Sequence, residues 1–267
     1  MTAPDGDLVL LERSGHLAVL RLNDPQKLNP ISKPLQHQLL EHLQALAQDP
    51  EVHSLVLTGE GRAFCVGADL KGMRKPGGDG RLGPQVSAEM ESLSNRLIEA
   101  IRAMPCPVLA AVNGPCAGAG VGLALAADIC VATESAYFYL PFMPRLGIVP
   151  DLGCTWFLER MVGRSRAMAL ALLGEQIKAA DAQRLGLIWA ALPDADFEAA
   201  TRALAQRLAD LPGHAAVEMR AALEHAATHT LSEQLHYEAS RQGELIDRPS
   251  FSEGVRAFLE KRTPRFR

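Results

Sequence analysis

Two short runs of small residues are the parts of this sequence best suited to chemistry. Gly61-Arg62-Ala63-Phe64-Cys65-Val66-Gly67-Ala68-Asp69-Leu70 follows an apolar stretch, and Asn113-Gly114-Pro115-Cys116-Ala117-Gly118-Ala119-Gly120 follows another and precedes a helical one. Small side chains let a ligand approach the backbone, and amide hydrogens at a helix start carry partial positive charge. Both loops could therefore donate to one oxygen anion, although close packing of two turns explains the same spacing. A third segment, Val149-Pro150-Asp151-Leu152, stands before an apolar run, where Pro-Asp commonly opens a helix and the aspartate caps it.

Other chemistries lack their usual signatures. There is no G-x-x-x-x-G-K-[ST], no G-x-G-x-x-G after the first strand, no G-x-S-x-G and no Tyr-x-x-x-Lys pair, which argues against phosphoryl transfer, nicotinamide chemistry and serine hydrolysis. His225 and His229 have metal-ligand spacing but no carboxylate partner in an H-E-x-x-H pattern, so they read as a solvated helical face. The five cysteines are scattered through apolar stretches without a C-x-x-C, which disfavours a disulfide framework or a thiolate metal site and favours a reducing cytoplasm.

The elements that must position these loops follow from composition and period. With 267 residues, 48% apolar, 22% charged and a net charge of −4, the chain is neither disordered nor a polybasic nucleic-acid binder. It is long enough to bury a large core without a metal or disulfide. Acidic residues at Asp5, Asp7 and Glu12 with no basic start predict no signal peptide. No charge lies between Arg102 and Asp128, yet Pro105, Pro107, Asn113, Gly114 and Pro115 cut that stretch into pieces too short for a membrane span.

Alternation over Leu8–Glu12 and His16–Leu22 predicts a β-hairpin, and Leu35, Leu39, Leu43 and Leu46, widened by Leu40 and Ala47, predict a helix packed on a sheet. Strands are expected over Val52–Thr58, Pro107–Val112, Asp128–Thr133 and Leu187–Leu192, with helices over Val86–Met104 and Ala117–Ala127. Residues Gly72 to Pro84, rich in glycine, proline and charge, predict a mobile loop over a site. Beyond Gly153 the periods are almost wholly helical: Gly153–Val162, Ser165–Leu173, Ala180–Leu185, Phe197–Leu211, His214–Ala226, Leu231–Ile246 and Phe251–Lys261. The expected class is α/β, with residues 1–196 forming the core that carries the site and 197–267 a helical region whose apolar faces suit an oligomer interface.

The two loops together resemble the paired signatures of the crotonase, or enoyl-CoA hydratase/isomerase, superfamily. The first is similar to its G-x-x-F-C-x-G-x-D-L and the second to its A-V-N-G-x-x-x-G-x-G, and the likeness extends from Asn23–Asn29 to Glu253–Arg262. The resemblance implies a spiral of ββα repeats and C-terminal helices that assemble trimers or hexamers, with other enzymes of the pathway as further partners. It implies no cofactor, since coenzyme A is part of the substrate. The amides of Ala68 and Ala119 are then expected to bind the thioester oxygen as an enolate develops. Leu28, Gly118 and the run Ala68, Asp69, Leu70 and Lys71 are expected to hold the CoA ester, with Lys27, Lys71, Arg74 and Lys75 near its phosphates.

The superfamily's hydratases use two glutamates, and this sequence has Gly122 and Phe142 at those positions. Asp151 matches the acidic position of isomerases that shift double bonds, Val149, Phe142, Leu152 and Trp156 are expected to wall it, and Phe142 and Trp156 are expected to bind the substrate as well. The stretches Gly147–Asp151 and Gly163–Gly174 are most similar to the isomerases that convert a ring epoxide of phenylacetyl-CoA to an oxepin, themselves akin to Δ3,Δ2-enoyl-CoA isomerases. Ala68, Cys154 and the Leu28-Asn29-Pro30 run depart from that subgroup. The resemblance thus implies an acyl-CoA isomerase with Asp151, Ala68 and Ala119 as catalytic groups. An enoyl-CoA hydratase and a non-catalytic acyl-CoA-binding subunit are the rival readings.

Overall fold

The computed structural model describes residues 6–70 and 81–266. Strands β1 (Val9–Ser14) and β2 (Leu17–Leu22) form the hairpin, turned at Gly15, whose φ of +59° suits a residue without Cβ. Helix α1 (Lys33–Ala47) leads to β3 (Ser54–Gly59), and α2 (Leu82–Glu89), a π-helical turn (Met90–Ser94) and α3 (Asn95–Arg102) lead to β4 (Val108–Val112). There follow β5 (Cys116–Ala117), α4 (Ala119–Leu125), β6 (Ile129–Thr133), β7 (Tyr137–Tyr139) and a second π-helical turn (Phe142–Leu146). Then come α5 (Cys154–Val162), α6 (Arg164–Leu173), β8 (Ile177–Lys178), α7 (Ala179–Leu185) and β9 (Ala190–Leu192). Four helices end the chain: α8 (Phe197–Ala209), α9 (Ala215–Ala226), α10 (Leu231–Ile246) and α11 (Pro249–Leu259).

The main sheet runs β1-β2-β3-β4-β6-β9, parallel at every pairing except the β1–β2 hairpin. Every residue of β3 and β4 is buried, as expected of parallel strands covered on both faces. One face meets the leucine stripe of α1 together with α3 and α4, and this layer holds most of the core, including Leu35, Leu39, Leu43, Leu97 and Ile101. The other face, carrying Leu17, Val19, Val56, Leu109 and Val131, is closed by Ala205 of α8. A small second sheet, β5-β7-β8, sits beside the first.

Several sequence expectations need correction. The helix expected over Val86–Met104 is two helices around a π-helical turn, and it begins earlier, because Leu82–Pro84 form the first turn of α2 rather than the end of a loop. Residues 72–80 of that expected loop, with Arg74 and Lys75, and the preceding Lys71 lie outside the described residues. Strands β5, β7 and β8 carry no sequence signal, since two or three residues hold no period. In the stretch read as strand Leu187–Leu192, only Ala190–Leu192 pair. Among the described residues, no helix is long and apolar enough to cross a membrane.

The C-terminal helices are tied to the core by charge. Arg220 of α9 grips both carboxylate oxygens of Asp128 at 2.5 and 2.6 Å and also donates to the carbonyls of Met104 and Cys106, while Asp128 accepts the Val108 amide at 2.7 Å. Arg262 and Arg256 hold the Glu253 carboxyl of α11 far below the usual carboxylate range.

Candidate active site

The two small-residue loops run side by side because each lacks the side chains that would separate them. Cys65 and Cys116 form a parallel bridge, with the Ala117 amide donating to the Cys65 carbonyl at 2.8 Å. Gly67, at φ +90°, is so close to the second loop that a Cβ there would stand 2.9 Å from the Ala117 carbonyl oxygen and 3.2 Å from the Ala119 nitrogen. Glycine is the residue for such a backbone approach.

A third segment braces the first loop. The Ile31 amide donates to the Gly67 carbonyl at 2.8 Å and the Val66 amide to the Leu28 carbonyl at 3.2 Å. Leu28 and Asn29 both adopt positive φ, a conformation asparagine tolerates better than most. The fully buried Asn29 side chain accepts from the Asp24 amide at 2.8 Å and donates to the carbonyls of Glu60 at 3.0 Å and Ala63 at 2.8 Å. The Leu-Asn-Pro run is therefore a structural clamp beneath the loop.

Ala68, Ala119 and Asp151 line a single cavity of about 330 Å³, and Asp69 lines it with them. Among the described residues, neither the Ala68 nor the Ala119 amide donates to a protein oxygen. Burial pushes the Asp151 carboxyl up to about 6, against the opposing pull of its own backbone amide. Its Oδ1 is buried with no hydrogen-bond partner. The side chain does not cap a helix: α5 starts at Cys154 without a side-chain cap, and only the Asp151 carbonyl accepts the Cys154 amide, at 2.9 Å.

Leu152 and Gly153 follow with φ values of +48° and +76°. For leucine this region costs about 1–2 kcal/mol. The double left-handed turn sends α5 away so that Cys154, Phe157 and Leu158 form its buried face. Trp156 falls off that face. It is 44% exposed, with the Arg160 guanidinium 4.0 Å from its ring centre, and Val149 is 70% exposed. The expectation that these two wall Asp151 is therefore corrected: Leu152, which is buried and lines the cavity, is the neighbour that screens it.

Of the two positions where the resemblance implies a hydratase would carry glutamate, 122 is closed by packing and 142 is occupied by an aromatic ring. Gly122 of α4 faces Leu152 so tightly that no side chain fits between them. Phe142 is buried in the second π-helical turn, its ring end 4.0 Å from where a Cβ on Gly118 would stand.

Other expected residues are spread out. Lys27 is exposed and paired with Asp24 at 3.0 Å, Leu70 is exposed, and Lys71 lies outside the described residues. At the cavity, Lys33 of α1 and Glu89 of α2 form an ion pair at 2.6 Å. Sequence reasoning missed Gln36 and Ser94, buried polar residues that also line it. Gln36 lies on the α1 face shared by Leu40 and Leu43, and a polar residue within that apolar face was the available signal. His225 and His229 stack ring on ring at 3.7 Å with Nδ1 of His225 against Gln234 and of His229 against a backbone carbonyl. Among the described residues no group of three or more His, Cys, Asp or Glu could hold a metal ion.

Comparison with known proteins shows the family and fold of the chain. The enoyl-CoA hydratase/isomerase family profile matches residues 12–267. A probable enoyl-CoA hydratase of Rhodobacter capsulatus is 45% identical over 256 residues, covering 96% of each chain. The 1,2-epoxyphenylacetyl-CoA isomerase of Escherichia coli is 40% identical over 248 residues, 92% of this chain and 93% of that one. The crystal structure of an enoyl-CoA hydratase from Polaromonas superposes with a TM-score of 0.88 at 33% identity, covering 97% of this chain and 99% of that one. From residue 12 to its C-terminus, this chain belongs to the enoyl-CoA hydratase/isomerase family of the crotonase superfamily.

Proposed function

We propose that the protein is a CoA-thioester isomerase in which Asp151 moves a proton between carbons of the acyl group. The observation that carries this reading is a carboxylate oxygen, Asp151 Oδ1, buried without a hydrogen-bond partner at a cavity that Ala68 and Ala119 also line, where among the described residues neither alanine amide is committed and positions 122 and 142 carry no carboxylate. In the proposed cycle the thioester oxygen accepts from the Ala68 and Ala119 amides. Asp151 removes the proton next to the carbonyl, the charge collects on that oxygen, the double bond shifts, and Asp151 returns the proton further along the chain. No water or cofactor is consumed. Donors preset for charge that appears only in the transition state contribute about a hundredfold to a thousandfold each in other enzymes. A carboxyl titrating near 6 is a better base toward a weakly acidic carbon than an ordinary aspartate.

The substrates we favour are the ring epoxide of phenylacetyl-CoA, in which the carbon–carbon bond between the two epoxide carbons opens as the ring double bonds shift to give the seven-membered oxepin, on which the same proton transfer then moves a double bond, and Δ3-enoyl-CoA, giving Δ2. The name of the Escherichia coli relative supports the first. The name of the Rhodobacter relative supports the rival reading, an enoyl-CoA hydratase. In either case we assign Leu28, Asp69, Leu70, Lys71 and Gly118 to binding the CoA ester, with Lys27 near its phosphates, and assign the molecule to a reducing cytoplasm, which suits its five buried thiols. We further propose a trimer or hexamer formed through the C-terminal helices, where Phe258, Leu259 and Leu231 are among the most exposed apolar residues.

The deciding experiment compares isomerisation of a 3-enoyl-CoA and of the ring epoxide with hydration of crotonyl-CoA, in the wild type and in Asp151→Asn. We expect isomerisation to exceed hydration and the substitution to lower kcat about 10²- to 10⁴-fold while leaving CoA-ester affinity nearly intact. Wild-type isomerisation rates in Asp151→Asn, or hydration as the dominant wild-type activity, overturn the assignment. Affinity for CoA esters without deuterium uptake next to the carbonyl leaves a binding subunit instead.

A further inference from the structure

The proton shuttle makes no use of two buried polar side chains in the cavity wall. Gln36 on α1 is 5% exposed and Ser94, the last residue of the first π-helical turn, is 8% exposed. The Ser94 hydroxyl donates to Gln36 Oε1 at 2.7 Å, and Gln36 Nε2 donates to the Ile31 carbonyl only at 3.5 Å. A side-chain amide carries two N–H groups, and a hydroxyl whose hydrogen is already given keeps its lone pairs. Among the described residues the pair therefore has one unspent donor, on Gln36 Nε2, and an unspent acceptor, on Ser94 Oγ.

Around Gln36 the buried positions of α1 are Leu35, Leu39, Leu40 and Leu43, so an apolar residue at 36 would suit the helix. Leaving polar capacity unmet in a buried wall costs about 1–3 kcal/mol. Ser94 owes its place to a π-helical turn inside what the sequence predicts as one continuous helix, and such turns are frequent at functional sites. Both residues line the cavity shared by Asp151, Ala68 and Ala119.

We infer that Gln36 and Ser94 are specificity-determining residues that select acyl groups bearing an acceptor oxygen, such as a ring ether, epoxide or carbonyl, over plain hydrocarbon acyl groups. The inference rests on the isomerase reading and names the substrate class within it. Gln36 Nε2 donates to the acyl oxygen, and Ser94 holds the amide in the orientation that presents that hydrogen. A hydrocarbon acyl group leaves the donor buried and unpaired, and sites built to hydrogen-bond a substrate reject analogues lacking the partner far more strongly than they reject a missing methylene.

The test is a binding measurement on non-reacting esters of matched shape: cyclohexylacetyl-CoA and the three tetrahydropyranylacetyl-CoA isomers, which differ only in the ring oxygen. Calorimetry on the wild type should give at least one ether ester binding about tenfold more tightly than the carbocycle. Gln36→Leu should erase that preference without weakening cyclohexylacetyl-CoA, and Ser94→Ala, the milder change, should reduce it several-fold. All four esters within twofold of one another in the wild type, or a preference that survives in folded Gln36→Leu, overturns the inference. If Gln36→Leu does not fold, Ser94→Ala decides, and an unaltered preference there overturns it. Because binding is read without turnover, failure of the Asp151 chemistry remains a separate result.

Discussion

Leu152 and Gly122 are in backbone contact: a Cβ built on Gly122 would stand 2.5 Å from the Leu152 carbonyl oxygen and 2.8 Å from Leu152 Cβ. Leu152 is the residue after Asp151 and holds a left-handed conformation, so the glycine of α4 fixes how closely the carboxylate approaches the cavity.

Gly122→Ala should therefore displace the turn that carries Asp151. Forcing one extra carbon into a packed interior costs about 1–3 kcal/mol, and misplacing a reacting group by an ångström can cost about a hundredfold in rate. We expect a moderate loss of stability in urea and a kcat lower by about 10- to 100-fold. Gly122→Glu should not produce a hydratase, because the glutamate meets the Leu152 backbone. A gain of crotonyl-CoA hydration in a folded Gly122→Glu protein would refute the packing argument.

The pH profile should report Asp151. Only the ionised carboxylate can accept a proton, and burial places its titration at about 6. kcat/KM for isomerisation should rise about tenfold per pH unit below that value and level off above it. A plateau extending down to pH 4.5 would place the base elsewhere.

The same carboxyl sets a pH-dependent cost on folding. Its folded value lies above the ordinary 3.8, so the native state binds the proton more tightly than the unfolded chain does. Stability from this group is present below about pH 4 and is lost as pH rises through 6, by about 3 kcal/mol for the full shift. Asp151→Asn has no such loss. Its urea midpoint should exceed the wild type's at pH 8 by more than at pH 5, and a gap independent of pH would contradict the buried, raised titration.

Arg220 is a structural keystone rather than a reacting group. It is nearly buried against Asp128 and carries four hydrogen bonds to Asp128, Met104 and Cys106, on segments flanking β4 and β6. Removing one partner of such a pair leaves the other charge uncompensated, at about 3–5 kcal/mol. Arg220→Ala should lower the unfolding free energy by that order. Arg220→Lys should recover little, since a point charge cannot replace the guanidinium fork. Wild-type stability in either variant would show the contact to be dispensable.

By itself the sequence determined the elements whose burial repeats over many residues: the α1 leucine stripe, the apolar runs of β2, β3 and β4, and the helical C-terminal region. It also determined the two loops, because glycines at backbone contacts leave a mark at fixed spacing, and that spacing carried the family resemblance. Tertiary structure alone decided that Ala68, Ala119 and Asp151 share one cavity, that Trp156 lies off the buried face of α5, and that position 122 admits no side chain. It alone joined Gln36 to Ser94, 58 residues apart. Periodicity sums a burial preference along one element, so it survives in the sequence. A contact between single residues on separate elements depends on how those elements pack, and no repeating pattern along the chain records it.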